Sequence, residues 1–135
     1  MSEYIKNPLH VGISITDTDK SIQWYHDVIG FEMISSQYIP ALKAVVTFLK
    51  KDNFELELFQ CDEILQLNGI ANVSGDNRIL GTKHVAFLVS DMNELKKEFQ
   101  RKNVSIIVES KINNEKVMFI KDPDDNVMEF IERTV

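Results

Sequence analysis

The fold of this chain is decided by a stretch that occurs twice, as "PLHVGISITDTDKSIQWY" at residues 8–25 and as "TKHVAFLVSDMNELKKEF" at residues 82–99. Each copy places a His before a short apolar run, follows the run with an Asp, and continues in a helix-like pattern. The apolar runs are typical of β-strands, and Asp is a favoured N-cap residue for a following helix. The repeat therefore predicts two modules that each begin with a strand and a helix.

Three further strand-like runs follow each predicted helix. They read "FEMISSQYI", "KAVVTFL" and "FELELFQ" in the first copy, and "VSIIVES", "KVMFIK" and "NVMEFIE" in the second. We therefore expect a single α+β domain spanning 1–135, made of two βαβββ modules at about 7–60 and 82–133 joined by a loop at 61–81. Each sheet has one face covered by its helix, so the two open faces could pair around a shared cavity.

Composition narrows the class of protein and its partners. The chain carries 21 Asp and Glu against 15 Lys and Arg, a net charge of −6, which disfavours a nucleic-acid partner. No window approaches the roughly 18 apolar residues of a membrane span, and the N-terminus lacks a signal-peptide pattern. Cys61 is the single cysteine, so an internal disulfide is impossible. We expect a cytoplasmic protein with no membrane association.

Side-chain alternation places His10 and His84 on the strand face opposite the residues that pack under each helix. The last strand of each module carries Glu57 or Glu129 on its own non-core face. Two imidazoles and two carboxylates suit one divalent ion, such as Zn, Ni, Co, Mn or Fe(II). Taken singly, each His equally fits a hydrogen-bonded structural residue, and each Glu a solvated strand face. The repeat explains all four with one arrangement, which favours a metal site.

Three segments of the chain also resemble a known superfamily: "HVGISITDTDKSIQWYHDVIGFEMI", "GTKHVAFLVSD" and "IKDPDDNVMEFIE". They are similar to the glyoxalase, bleomycin-resistance and extradiol-dioxygenase proteins, also called vicinal oxygen chelate proteins, over roughly residues 7 to 133. The resemblance implies paired modules that form a half-open barrel around one divalent metal, and a homodimer that acts on a small molecule. It places four residues on the metal-binding positions of glyoxalase I-like members: His10, Glu57, His84 and Glu129.

The activity that the resemblance implies is that of a metal-dependent lyase or isomerase. The metal would act as a Lewis acid on the substrate carbonyl, and Glu57 or Glu129 would move a proton between neighbouring carbons. An extradiol-type dioxygenase is the alternative, since two His and Glu129 would also hold Fe(II). A non-catalytic drug-binding resistance protein is a third possibility, and it would leave the His and Glu pattern unexplained.

Two positions argue against strict glutathione dependence. Glutathione-dependent glyoxalase I carries an Arg four residues after the first ligand and an Asn four residues after the second. Ser14 and Cys61 stand at these positions. Neither offers the bidentate cation that grips a carboxylate. A different thiol adduct or another carbonyl compound is therefore the expected substrate.

Overall fold

The computed structural model describes residues 1–66 and 73–133. The chain divides into two compact units, residues 1–63 and 64–135. Each unit holds one mixed four-stranded sheet with few helices, which confirms the predicted α+β class. The predicted half-open barrel depends on how the two units are arranged, and it stays a prediction. Among the described residues, no helix is long and apolar enough to cross a membrane.

The first unit contains the first copy of the quoted repeat, at residues 8–25. Its elements are β1 (His10–Ser14), α1 (Thr18–Trp24), a π-helical turn (Tyr25–Ile29), β2 (Glu32–Ile39), β3 (Ala44–Lys51) and β4 (Phe54–Cys61). The sheet has the order β1-β4-β3-β2, with β1 parallel to β4 and the other pairs antiparallel. A parallel pair needs a long crossover, and α1 with the β2–β3 hairpin provides it.

The second unit repeats this plan strand by strand. A 3₁₀ turn (Val73–Gly75) precedes β5 (His84–Leu88), α2 (Met92–Arg101), β6 (Ile106–Ile112), β7 (Glu115–Lys121) and β8 (Val127–Glu132). The order is β5-β8-β7-β6, with β5 parallel to β8. Even the irregularity recurs, because β2 shifts register between Met33 and Ser35 and β6 between Ile106 and Val108. The repeat therefore extends to the position of a β-bulge.

Both helices begin at the predicted Asp residues. The Asp17 carboxylate accepts a hydrogen bond from the backbone N–H of Lys20 at 3.0 Å, and that of Asp91 accepts one from Glu94 at 3.1 Å. The sequence "DMNE" also predicts a reciprocal capping box, in which the Glu94 side chain would return to the start of the helix. Glu94 instead binds Lys97 at 3.0 Å, so only half of the box forms.

The core lies between each sheet and its own helix. In β4, Leu56 and Leu58 are fully buried, while Glu57 between them faces the other way, as alternation predicts. The first helix differs from its expected pattern, because the spacing of Ile22, Tyr25 and Ile29 predicts that face to be buried. Tyr25 is buried, but Ile22 and Ile29 are only partly so. The buried residues are Ser21, Tyr25 and Val28, so the buried stripe lies one position away from Ile22 and Ile29.

The predicted module bounds, about 7–60 and 82–133, stay predictions. Strand β4 ends at Cys61, the first residue of the predicted loop. Residues 67–72 of that loop lie outside the described residues. The second unit's turn at residues 122–126 is built on Asp122, whose Oδ1 accepts the backbone N–H of Asp124 and of Asn126, each at 2.8 Å. This turn closes the β7–β8 hairpin and so sets where Glu129 falls.

Candidate metal centre

The first unit brings His10 and Glu57 together across its parallel strand pair. Glu57 is the register partner of Gly12, and His10 is the partner of Glu55, so the contact is diagonal. The Nε2 atom of His10 lies 3.5 Å from Oε1 of Glu57. Their side chains are 33% and 21% exposed, so the pair is sheltered yet reachable from solvent.

The second unit builds the same pair in the same register. Glu129 is the partner of Ala86, two residues after His84. The Nε2 atom of His84 lies 3.3 Å from Oε1 of Glu129, and the side chains are 33% and 16% exposed. Two sheets that differ in sequence therefore hold an imidazole and a carboxylate in nearly the same arrangement.

The separation of the two atoms in each pair fits donors that share an ion. Two donors about 2.1 Å from one ion are about 3.0 Å apart at a right angle and about 3.4 Å apart at a tetrahedral angle. The observed separations are 3.5 and 3.3 Å. They exceed the roughly 2.7–3.2 Å of an N–H···O hydrogen bond. A borderline divalent metal that accepts imidazole and carboxylate ligands fits this donor set.

A phenylalanine accompanies each pair, and sequence reasoning missed both. Phe48 is the direct partner of Glu57 on β3, and its ring stands edge-to-face to the His10 imidazole with centroids 5.6 Å apart. Phe119 is the partner of Glu129 on β7 and meets His84 in the same way at 5.4 Å. The sequence shows a phenylalanine in the third strand of each module, within "KAVVTFL" and "KVMFIK", and this repetition could have indicated both residues.

The small residues two positions after the histidines, Gly12 and Ala86, have different neighbours in the two units. At Gly12 an added Cβ would meet Phe59 Cε2 at 3.0 Å and Glu57 Oε1 at 3.8 Å. The ring of Phe59 thus already takes the space above Gly12. The equivalent residues in the second unit are Ala86 and Ile131, since Leu88 pairs with Ile131 as Ser14 pairs with Phe59. A smaller side chain on β8 accompanies a larger one on β5.

The four predicted ligands thus form two pairs, one in each unit. Within residues 1–66 and 73–133, no group of three or more His, Cys, Asp or Glu is close enough to hold an ion. A single centre made of His10, Glu57, His84 and Glu129 therefore stays a prediction. Ser14 and Cys61, the positions that argue against glutathione, are both exposed.

The third histidine is not part of either pair. His26 lies in the π-helical turn and is exposed, with Nδ1 3.0 Å from Asp27 and Nε2 3.2 Å from Glu32. The hydrogen bond to Asp27 and the charge of Glu32 raise the pKa of His26 above its ordinary 6.5. These neighbours make His26 a surface ion-pair residue in the described structure.

Comparison with known proteins identifies the family. The sequence model of the Glyoxalase/Bleomycin resistance protein/Dioxygenase superfamily matches residues 7–130. The chain belongs to this superfamily, and its two sheets match the vicinal oxygen chelate fold. Members generally bind a divalent metal and act on or bind small molecules.

Individual relatives are distant. A lactoylglutathione lyase of Arabidopsis thaliana is 26% identical over 132 residues, which is 93% of this chain and 44% of that protein. The chain therefore spans less than half the length of this curated relative. A glyoxalase family protein from Enterococcus faecalis matches with a TM-score of 0.80 and 23% identity, covering 96% of this chain and 99% of that one.

A third likeness comes from a protein of different function. An antibiotic binding protein from a Streptomyces species matches with a TM-score of 0.71 and 14% identity, covering 98% of this chain and all of that chain. At this identity the likeness shows the fold alone. The distant similarity to lactoylglutathione lyase, together with the superfamily, suggests an enzyme without defining its reaction.

Proposed function

We propose that this protein is a metal-dependent lyase or isomerase of the glyoxalase type, which moves a proton next to the carbonyl of a small molecule. The observation that carries the proposal is the His–Glu pair built twice in the same register, at 3.5 and 3.3 Å. An isolated structural histidine gives no reason for a second copy with the same carboxylate and the same ring beside it. A shared ligand gives that reason.

His10, Glu57, His84 and Glu129 would hold the metal. When bound, the ion supplies Lewis-acid chemistry that polarises the carbonyl and stabilises negative charge on its oxygen. A carboxylate of Glu57 or Glu129 takes the proton from the carbon beside the carbonyl and returns it to the neighbouring carbon. No electron is gained or lost overall, so the reaction needs neither oxygen nor a redox partner.

The fourth donor distinguishes this proposal from ring-cleaving dioxygenase chemistry. Two histidines and Glu129 would suffice for Fe(II). Glu57, however, lies beside His10 at nearly the same distance as Glu129 lies beside His84. A fourth anionic ligand competes for a position that oxygen chemistry leaves open. The symmetry of the pairs therefore favours the isomerase.

The first test is metal binding by the purified full chain. After chelation, Ni, Co, Mn, Zn and Fe(II) are returned in turn, and binding is measured by calorimetry and elemental analysis. Loss of an outer-shell partner costs about 10–100-fold in affinity, and we expect loss of the ligand in His84→Ala to cost roughly a hundredfold or more. His26→Ala, which removes the exposed histidine, should leave the affinity unchanged.

The second test is turnover without oxygen, on adducts of small α-keto aldehydes with thiols. Glu→Gln keeps the shape of the side chain and removes the base, so we expect Glu57→Gln or Glu129→Gln to lower kcat by about 10²–10⁴-fold. Full turnover in both variants would rule out the mechanism. Oxygen consumption with Fe(II) would instead indicate a dioxygenase, and ligand binding without any metal would indicate a binding protein.

A further inference from the structure

We propose that Phe48 and Phe119 are positioning residues that hold the imidazoles of His10 and His84 with Nε2 directed at the neighbouring carboxylate. The inference rests on the proposed metal site and deepens it, because it says how each half of that site stays assembled before an ion arrives. Neither phenylalanine offers a ligand atom. Their effect on metal binding would therefore act through the histidines alone.

The contact in the first unit spans three strands. His10 lies on β1 and Phe48 on β3, with β4 and Glu57 between them. The two rings lean towards each other above β4, with centroids 5.6 Å apart and planes at 75°. Edge-to-face contact is the favoured geometry for aromatic pairs. A ring held on that side limits the rotation of the imidazole, which would otherwise sample several rotamers on its exposed strand.

The same arrangement of His, Glu and Phe recurs in the second unit, although the residues around it differ. His84 and Phe119 have centroids 5.4 Å apart with planes at 87°, and Phe119 is again the direct partner of the glutamate. On the edge strand of each sheet, the register partner of Phe48 is Ser35 and that of Phe119 is Val108. The phenylalanine beside the pair is thus the same in both units where its own neighbour on the edge strand has diverged, as expected for a role tied to the pair.

Core packing is the competing explanation for two aromatic side chains. The helix-covered face has its own aromatic contacts, such as Phe87 stacked on Phe130 with centroids 5.4 Å apart. Phe48 and Phe119 lie on the opposite face, beside the carboxylates, and are only partly buried. A pure packing role predicts a change in stability alone. A positioning role also predicts a change in histidine order and in metal affinity.

The experiment compares Phe48→Leu and Phe119→Leu with Phe87→Leu, which makes the same substitution on the helix-covered face of the second sheet. Affinity for Co(II) is measured by calorimetry, and the unfolding free energy of the chelated protein by urea titration. From the usual strength of an aromatic pair, we expect each of the first two variants to bind Co(II) about threefold to tenfold more weakly. Phe87→Leu should lower stability and leave the affinity unchanged, and Phe48→Tyr should retain wild-type affinity.

A second readout needs no metal. Three-bond couplings in the chelated protein report the χ1 rotamer of each histidine, which is assigned by removing His10, His26 and His84 in turn. We expect one rotamer for His10 and His84 in the wild type, and averaging at His10 in Phe48→Leu and at His84 in Phe119→Leu.

The two readouts separate this inference from the proposed function. A wild-type protein that binds no Co(II) would overturn the proposed function, while the couplings would still decide whether the phenylalanines order the histidines. Unchanged couplings in both variants, or Co(II) affinity equal to wild type in both, would overturn the inference. An equal affinity loss in Phe87→Leu would overturn it too, since the effect would then follow stability.

Discussion

Single residues set the space around the His–Glu pairs, and Gly12 shows this most directly. A Cβ at this position would approach the Phe59 ring at 3.0 Å, which is tighter than nine in ten real Cβ contacts. The second unit carries Ala86 at the equivalent position, beside Ile131 instead of Phe. Glycine in the first unit is therefore explained by the aromatic ring above it, and not by a special backbone conformation.

This leads to a prediction about Gly12→Ala. Overpacking costs about 1–3 kcal/mol, so we expect the variant to unfold at lower urea concentration and to bind metal more weakly through displacement of Glu57. Adding Phe59→Ile reproduces the Ala86–Ile131 combination and should restore much of the loss. If Gly12→Ala is as stable as wild type, or if the double variant is no better than the single one, the packing explanation is wrong.

At the scale of elements, the junction between the first helix and β2 is held by a charged cluster. The π-helical turn carries His26 and Asp27, and β2 begins with Glu32, which contacts the other nitrogen of the imidazole. The carboxylates raise the pKa of His26, the hydrogen bond to Asp27 having the larger effect. Protonation of this residue is therefore linked to the folded junction.

The sign of the linkage gives a pH prediction. A raised pKa means that the folded state binds the proton more tightly, so the stabilisation is complete below the unfolded pKa of about 6.5 and is lost as pH rises through the folded value. We expect His26→Gln to lower the unfolding free energy more at about pH 6 than at about pH 8.5. Urea titrations at both pH values test this. An equal difference at the two pH values would show that the cluster does not stabilise the junction.

For the whole molecule, the decisive question is how many ions the two units bind together. Each unit contributes one imidazole and one carboxylate, and a pair of side chains alone is a poor site for a divalent ion. If one ion takes all four donors, the protein binds one ion per chain, and losing either pair abolishes binding.

This prediction is checked by elemental analysis and by melting with and without metal. At a free metal concentration about a hundred times Kd, one site stabilises the folded state by about 2.7 kcal/mol. We expect His10→Ala and His84→Ala each to lose nearly all of this stabilisation, and His26→Ala to keep it. Two ions per chain, or half of the stabilisation left in each variant, would indicate two independent sites.

Much of the fold follows from local pattern. The repeat of His, apolar run and Asp predicted two strand–helix starts, and Asp17 and Asp91 cap both helices as expected. Period-two alternation put Glu57 opposite Leu56 and Leu58 correctly, because side-chain direction along a strand depends only on neighbouring residues. Alternation alone puts Glu55 on the same face as Glu57, and the repeat selected Glu57 because it matches Glu129. Sequence by itself therefore determined the fold class, the repeat and the faces on which the candidate ligands lie.

Only the tertiary structure decided which of these residues meet. The register places His10 level with Glu55 yet directs its Nε2 to Glu57, and it brings Phe48 to the pair from two strands away. The tertiary structure also explains Gly12 through the Phe59 ring, and in the first helix it buries Ser21, Tyr25 and Val28 and not the predicted face. Register depends on pairing between segments far apart in the chain, and on bulges and turns whose geometry no single segment carries. That non-local pairing is why the faces of these residues were predictable and their contacts were not.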